Sequence, residues 1–549
     1  MSGEPTVTEL RLEGASLSGI SGLFKNRKVF IIALFASFGG LEYGYQQGVI
    51  SQALVMTKFK ADFPDIVSSS SATGWLTSIL QLGGWIGALS SGIFAEVFTR
   101  KHTILSGGLW VILGSFLCAG AHNGSYLFAG RFFTSIGVGT LSAVGPLYNA
   151  ELAPPEMRGL LVALQQLSTT IEIMAAYWIG YGTNYIGGTG DGQSDWAWRT
   201  PLIVQGVPAI ILVLGAAFFL PFSPRMLINK GREEEALKTL ASLRNLPEDS
   251  IILRCEFLEI KSEVLFQRKV FAGRMPGLAE SGHSIWRGEL AQYANIFRTK
   301  TNFKRVAIAG LIMIFQQWSG VDAIIYYASS IFQSLGLTSG TTSLLATGVV
   351  GIINVLATIP AIIIIDKVGR KPLLLAGSIG MFCSMIIVAV IVAKCQHDWE
   401  HHAAAGWAAV AFIWIYIANF GYSWGPASWV LISEIFSLSI RAKGTSIGAS
   451  SNWMNNFIIA FVVPPMISGI GWGMYLLFAA LLFIGGIFIW FFVPETKNKT
   501  LEEMDLIFGS VTASEDRDIL AEVREEVGLS DVSGDKSKGG VSAGHLETA

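Results

Sequence analysis

Charge is scarce in this sequence. Only 14% of its 549 residues are Asp, Glu, Lys or Arg, against roughly 25% in a soluble protein, while 51% are hydrophobic and the mean hydropathy is +0.51. That balance excludes a soluble globular fold and implies a chain that crosses a lipid bilayer several times. An excess of either sign is also missing. A net charge of −2 and a pI near 6.4 leave no basic field for a nucleic-acid partner. Cysteine is sparse: Cys118, Cys255, Cys383 and Cys395 are dispersed, with neither metal-ligand spacing nor a disulfide framework. No nucleophile–base pair, metal spacing or phosphate loop stands at a plausible site, so an enzyme is not expected, nor a cofactor or metal.

What the chain has instead is apolar runs of the ~20 residues a bilayer requires. Six lie near 29–50, 73–98, 103–121, 125–148, 159–181 and 200–220, and six more near 306–332, 341–365, 372–393, 406–432, 445–468 and 471–493. The pattern divides the chain into a tail (1–28), a six-helix unit (29–220), a soluble-like helical linker (221–305), a second six-helix unit (306–493) and a C-terminal segment (494–549). Glu42 and the lack of a small-residue cleavage site mark the first run as a retained helix, not a signal peptide. If the runs alternate across the membrane, all Lys and Arg except Lys58, Lys60, Arg199, Lys394 and the intramembrane Arg131 fall on one side. By the positive-inside rule both termini and the linker are cytoplasmic. The linker reads as short amphipathic helices that bridge the halves, and the C-terminal segment as one helix from Thr500 to Phe508 followed by a tail of disordered composition.

One apolar run is loaded with polar groups. Gln316-Gln317-Trp318-Ser319-Gly320-Val321-Asp322-Ala323-Ile324-Ile325-Tyr326-Tyr327 sets two carboxamides, an acid, a helix-loosening glycine and two tyrosines inside a bilayer-length stretch. Unpaired polar groups in hydrocarbon cost on the order of several kcal/mol, so these side chains face protein, water or a ligand. Amides and an acid exchange several hydrogen bonds with a polyhydroxylated ligand, and aromatic rings cover its less polar faces.

The halves also repeat each other. Glu96 precedes Arg100-Lys101 as Asp366 precedes Arg370-Lys371, and Glu151 precedes Arg158 by seven residues as Glu434 precedes Arg441. Charges duplicated at the same cytoplasmic helix ends suggest ion pairs that form when those ends meet and separate when the cytoplasmic side opens.

With these loops, Arg131-Phe132-Phe133-Thr134-Ser135-Ile136-Gly137-Val138-Gly139, Pro221-Phe222-Ser223-Pro224-Arg225 and Pro494-Glu495-Thr496-Lys497, residues 29–508 resemble the sugar porter branch of the major facilitator superfamily, and within it fungal hexose and pentose transporters. The resemblance implies an all-α polytopic membrane protein with twelve transmembrane helices in two six-helix bundles, working by alternating access around a central sugar site. Matched position by position, it implies substrate contacts from Gln166, Gln316, Gln317, Asn354, Trp429 and Asn452, and an external gate at Tyr326 and Tyr327. Phe420 and Trp424 are further aromatic candidates. It also implies that Arg225 joins the cytoplasmic charge network.

Three departures bear on mechanism. Where proton-coupled members carry an aspartate paired with the span-four arginine, this chain has Gln46, while Glu42 lies one turn earlier and is expected to reach toward Arg131. Asp322 stands where the family more often has asparagine, and is both a substrate contact and a second proton carrier. Glu172 replaces a usual glycine and reads as an interhelical partner. In the loops, Glu96 and Thr99 replace an Asp and a Gly, and Phe222 replaces a glutamate.

The expected function is uptake of a neutral monosaccharide across the plasma membrane by a monomer, coupled to protons through Glu42, Arg131 and Asp322. Passive uniport, a non-transporting sugar sensor and transport of quinate, uronates or polyols are the alternatives; an anion beside Asp322 would be repelled.

Overall fold

A span that crosses lipid must satisfy its backbone internally, and the chain does so with helices. The computed structural model describes residues 42–152, 158–274, 285–337, 339–437, 439–497, 499, 501–509 and 512–529, with no strand among them. The tail over 1–28 and the stretch beyond 529 lie outside the described residues. Twelve helical segments cross in turn: α1 (42–53), α2 (Ser70–Val97), α3 (Arg100–Ala119), α4 (Gly124–Leu152), α5 (Arg158–Thr183), α6 (Trp196–Phe218), α7 (Lys300–Ser334), α8 (Gly340–Val368), α9 (Arg370–Cys395), α10 (Ala403–Glu434), α11 (Arg441–Gly469) and α12 (Trp472–Phe492). Nine of the described helices are apolar and long enough to span a bilayer on those grounds alone. The 29-residue α11 is not among the nine, because its length is diluted by Asn452, Asn455 and Asn456. The span that least resembles a membrane anchor by composition is thus one that carries several carboxamides.

Each half packs mainly on itself. In the first, α4 lies against α2 and α3, with Ser135 and Thr140 donating to the α2 carbonyls of Ile79 and Gly87. In the second, α9 packs on α10 and α12. The halves meet along two seams, α2 with α11 and α5 with α8. Hydrogen bonds that cross the seams among the described residues include Trp85 Nε1 to Ser450 Oγ at 2.7 Å, Ser70 with Ser468 at 3.3 Å and Tyr177 to the Ile325 carbonyl at 2.7 Å.

The duplicated charges resolve into duplicated geometry. Arg100 donates to the Ala95 carbonyl and bonds Glu151 at 3.1 Å; Arg370 donates to the Ile365 carbonyl and bonds Glu434 at 2.8 Å. In both halves an arginine at the start of a helix reaches back to the carbonyl five residues earlier and across to the glutamate at the end of the next span. These pairs lie within each bundle, which corrects the expectation of ion pairs linking the halves. The helix that starts with the arginine packs beside the span that ends with the glutamate, so the charges are neighbours whichever way the bundles tilt. Asp366 completes the second cluster at 2.9 Å from Arg370, whereas the exposed Glu96 instead acts across the seam on Lys443. Arg441 donates to the Ser433 carbonyl, Arg225 pairs with Glu263 in the linker, and the Arg158 side chain lies outside the described residues.

The Pro494 motif has a capping role. Glu495 accepts from the backbone N–H groups of Arg370, Lys371, Thr496 and Lys497 at 2.8–3.0 Å, placing a carboxylate on the N-terminus of α9. At the corresponding place in the first half Phe222 stands in for an acid. There Lys101 lies over its ring, and Thr99 caps α3 through the His102 N–H.

Linker helices join this cytoplasmic layer. Arg244 is sandwiched between Glu256 and the Leu152 carbonyl, and Arg274, at the end of the helix Ile251–Arg274, reaches Ser439 in the α10–α11 connection. Two helices follow α12. Leu501–Phe508 is held by Arg305 to Asp505 at 2.6 Å. Thr512–Glu526, in the stretch expected to be disordered, docks on Ile251–Arg274 through Arg274–Asp516 and Lys269–Glu526, with Val523 fully buried. Composition averages over a segment and misses a single apolar stripe that finds a partner.

Glu495→Ala leaves four N–H groups without their acceptor and is expected to cost about 1–2 kcal/mol of stability, read as a lower melting temperature in detergent; an unchanged value would refute the capping role.

Candidate functional site

The polar stretch of α7 is where that span breaks. Its helix runs Lys300–Gln317, stops at Trp318 and restarts at Val321, with Gly320 in the left-handed region at φ +98°. A side chain at Gly320 would also strike the Phe478 ring of α12, 2.7 Å from the added carbon. Breaking a helix inside a bilayer frees backbone groups that lipid cannot satisfy. Tyr416 of α10 supplies the answer, donating toward the Ser319 carbonyl and hydroxyl at 3.0 and 3.1 Å, while Ser319 donates to the Gln316 carbonyl at 2.7 Å. A second irregularity follows at Tyr327, whose φ and ψ of −125° and 15° depart from helix.

The two adjacent carboxamides have different fates. Gln316 is committed to the protein: its Nε2 donates to the Trp424 carbonyl at 2.8 Å and its Oε1 accepts from Asn452 Nδ2 at 2.8 Å, tying α7 to α10 and α11. Gln317 turns the other way. Its amide lies within hydrogen-bond reach of Asp322, and its Oε1 is buried with no partner. Asn456 of α11 adds an unpartnered Nδ2 while its Oδ1 accepts from Tyr326 at 3.0 Å. Tyr43 of α1 lies within reach of Gln47 and Asn456 and sets its ring edge-on to Trp453 at 5.2 Å. Gln317 and Asn456 thus present a free acceptor and a free donor in a buried cluster that includes Asp322 and Tyr43, where the halves meet.

Tyr326 and Tyr327 border this cluster. Both are buried; Tyr327 donates to the Ala460 carbonyl at 2.5 Å, and Gln81 of α2 lies within reach of the Tyr326 hydroxyl. With Tyr177 bonded to Ile325, the second segment of α7 is tied to both bundles.

The remaining expected contacts are placed less centrally. Asn354 is buried on α8, and Gln166 and Trp429 are half-buried on α5 and α10, outside the hydrogen bonds of the cluster. Trp424 spends its indole N–H on Ser378 of α9, and Phe420 is buried in the apolar core, so both serve packing. Sequence reading passed over Asn455, which accepts from Trp318, and Asn456 and Tyr43. The signal was present: Asn455-Asn456 are adjacent carboxamides in an apolar run, the pattern that singled out Gln316-Gln317.

The expected Glu42–Arg131 contact is absent. Arg131 turns toward α2, α3 and α7, donating from Nε to the Leu76 carbonyl at 2.8 Å, with Cys118, Tyr326 and Tyr327 as its electrostatic neighbours. Glu42 turns to α5 and α6, where Glu172 acts on it. One helical turn carried Glu42 onto the same face as Gln46 only approximately, and that offset is enough to aim the side chain into a different interface.

A family model described as "Sugar (and other) transporter" matches residues 32–508. The quinate permease of Emericella nidulans is 31% identical over 541 residues, covering 95% of this chain and 97% of that protein. The major facilitator-type transporter ecdD of Aspergillus rugulosus is 32% identical over 507 residues, 88% of each chain. Among solved structures, the xylose transporter XylE of E. coli in a partially occluded inward open conformation superposes with a TM-score of 0.69 at 26% identity, covering 86% of this chain and 100% of that one. The proton:xylose symporter XylE bound to 6-bromo-6-deoxy-D-glucose gives a TM-score of 0.68 at 28% identity, covering 88% and 99%.

The unequal carboxamides are separable by mutation. Gln316→Ala orphans Asn452 and the Trp424 carbonyl and is expected to destabilise the protein by about 1–3 kcal/mol, whereas Gln317→Ala is expected to leave the melting temperature nearly unchanged. Equal melting-temperature losses in detergent for the two variants would contradict this assignment.

Proposed function

The chain belongs to the sugar transporter family of the major facilitator superfamily, and from that premise we propose that it carries a neutral monosaccharide into the cell by proton-coupled alternating access. The observation that carries this reading is the unpartnered pair of Gln317 Oε1 and Asn456 Nδ2, buried with Asp322 where the halves meet. Adjacent hydroxyls of a pyranose both donate and accept, so one sugar satisfies an acceptor and a donor together. Tyr43 and Trp453 provide a flat apolar surface against which sugar C–H groups stack. The break at Gly320 and the irregularity at Tyr327 give α7 two places to bend, and withdrawal of Tyr326 from Asn456 and of Tyr177 from Ile325 opens the outer path. The in-bundle arginine–glutamate pairs keep each half rigid during that movement.

We assign coupling to protons to intramembrane acids, among them Glu42 and Asp322, since an acid buried in the bilayer is costly to keep unless it has work to do. The plasma membrane is the proposed location, the termini are cytoplasmic, and the working unit is the monomer. A second reading is a hydroxylated cyclic acid as substrate, favoured by the quinate permease among the relatives. Asp322 beside the open hydrogen-bonding groups weighs against it, because two carboxylates would then share one dry site.

Proteoliposomes decide among these. Uptake of labelled D-xylose that is competed by D-glucose and other neutral sugars but not by quinate, with alkalinisation of the external medium on adding sugar, is the expected result. Flux indifferent to pH and membrane potential would replace symport by uniport, and competition by quinate alone would replace the sugar by the acid.

A further inference from the structure

Glu42 and Glu172 stand out as buried acids with no basic partner. Glu42 is fully buried, and neither of its carboxyl oxygens has a hydrogen-bond partner among the described residues. Glu172 is 7% exposed and accepts only from the Tyr45 backbone N–H, at 3.3 Å. The two are brought together by a close helix crossing. At Gly44 an added side chain would run into the Thr169 carbonyl and the Glu172 side chain, so only glycine lets α1 lie this near α5. From α6 the Ala209 backbone approaches Glu42 without reaching hydrogen-bonding geometry. One turn earlier on the same face of α6, the buried Gln205 carries an amide oxygen that also lacks a donor.

Among the described residues the surroundings supply no compensating charge. The only ionisable residue of α6 is Arg199, whose guanidinium is bound to the carbonyls of Ala119 and Ala121 at the outer end. On α1 itself, the Tyr45 hydroxyl is spent on the Pro201 carbonyl, and Tyr43 faces Asn456 and Asp322. Arg131 of α4 turns to α2, α3 and α7, and the ionisable groups of α8, Asp366 and Lys367, sit at its cytoplasmic end. Two carboxylates side by side in hydrocarbon, with no cation and with spare acceptors around them, repel each other and lack every donor that would stabilise both charges. Acceptors that lack donors are short of hydrogen atoms.

Resting on the transporter reading, we propose that Glu42 and Glu172 form the exchangeable proton site of this chain, holding one proton between them and taking up a second. With one proton the pair carries a single negative charge; the second proton leaves it neutral, and that second proton is the one transported. The site lies between α1 and α5, apart from the Arg131 contacts with α2, α3 and α7. Its occupancy bears on Tyr45 and Tyr43, the first through the Glu172 contact and the second as the neighbour of Glu42 in sequence, and Tyr43 leads directly into the cluster around Asn456 and Asp322. The link from proton to sugar is therefore a rotation or tilt of α1.

Two measurements on the full-length protein separate this proposal from the transport reading. Infrared titration of the purified protein in detergent follows the carboxylic-acid band without any substrate. The wild type is expected to lose a component in two steps, and Glu42→Gln and Glu172→Gln each in one, because the coupled pair is broken. Glutamine at 172 still accepts from the Tyr45 N–H, so the fold is retained, and Glu172→Asp is expected to restore two steps. In proteoliposomes, labelled D-xylose counterflow tests transport alone, and sugar-driven alkalinisation tests coupling. Loss of alkalinisation in both glutamine variants, with counterflow still measurable, supports the pair. Alkalinisation that persists in Glu172→Gln, or identical titrations in wild type and variants, overturns it. Absence of counterflow in the wild type for the whole sugar panel overturns the transport reading, while the infrared result still decides the proton site.

Discussion

A helix interrupted inside a lipid bilayer needs its freed backbone groups satisfied by protein, and the interruption of α7 at Gly320 sets the terms for everything around it. Tyr416 exists in the core of α10 to bond the Ser319 carbonyl, and Gln316 is drawn into the same repair through Trp424 and Asn452. That repair ties three helices of one bundle into a unit. It also leaves the next carboxamide, Gln317, on the other face of the break with its oxygen unspent. Structural glue and ligand-binding capacity are thus adjacent residues of one sequence, separated by the ~100° that one helical position turns.

The distribution of strong and weak contacts follows a mechanical logic. Within each bundle, arginine–glutamate pairs, a carboxylate cap on α9 and serine and threonine bonds between α2 and α4 fix neighbouring helices. Between bundles, hydrogen bonds such as Trp85–Ser450, Ser70–Ser468 and Tyr177–Ile325 involve neutral groups. Exposed or neutral contacts of that kind are worth of the order of 1 kcal/mol each, so a sugar or a proton has enough differential binding energy to shift the balance of states. The cytoplasmic helices add a graded layer, with Arg274 touching both the C-terminal helix and the α10–α11 connection.

Charge inside the membrane is distributed differently from what the loop and span motifs imply. Arg131 keeps its backbone bond to Leu76 and lies near the gate tyrosines, whereas Glu42 and Glu172 collect between α1 and α5. Moving an acid by four residues along α1 preserved its depth to within a helical turn and changed its interface.

The helical spans and the twofold repeat were legible in the sequence because each depends on averages or spacings: hydrophobic length against bilayer thickness, and motifs at matching positions. So was the polar break in α7, since several hydrogen-bonding groups in one apolar run have no other use in lipid. Tertiary structure alone decided which of Gln316 and Gln317 is free, that the charge pairs Arg100–Glu151 and Arg370–Glu434 stay within bundles, that Glu42 meets Glu172 and misses Arg131, and that Thr512–Glu526 docks. Each of these depends on the direction in which a side chain leaves its helix and on what stands a few ångströms away, and a linear sequence carries neither.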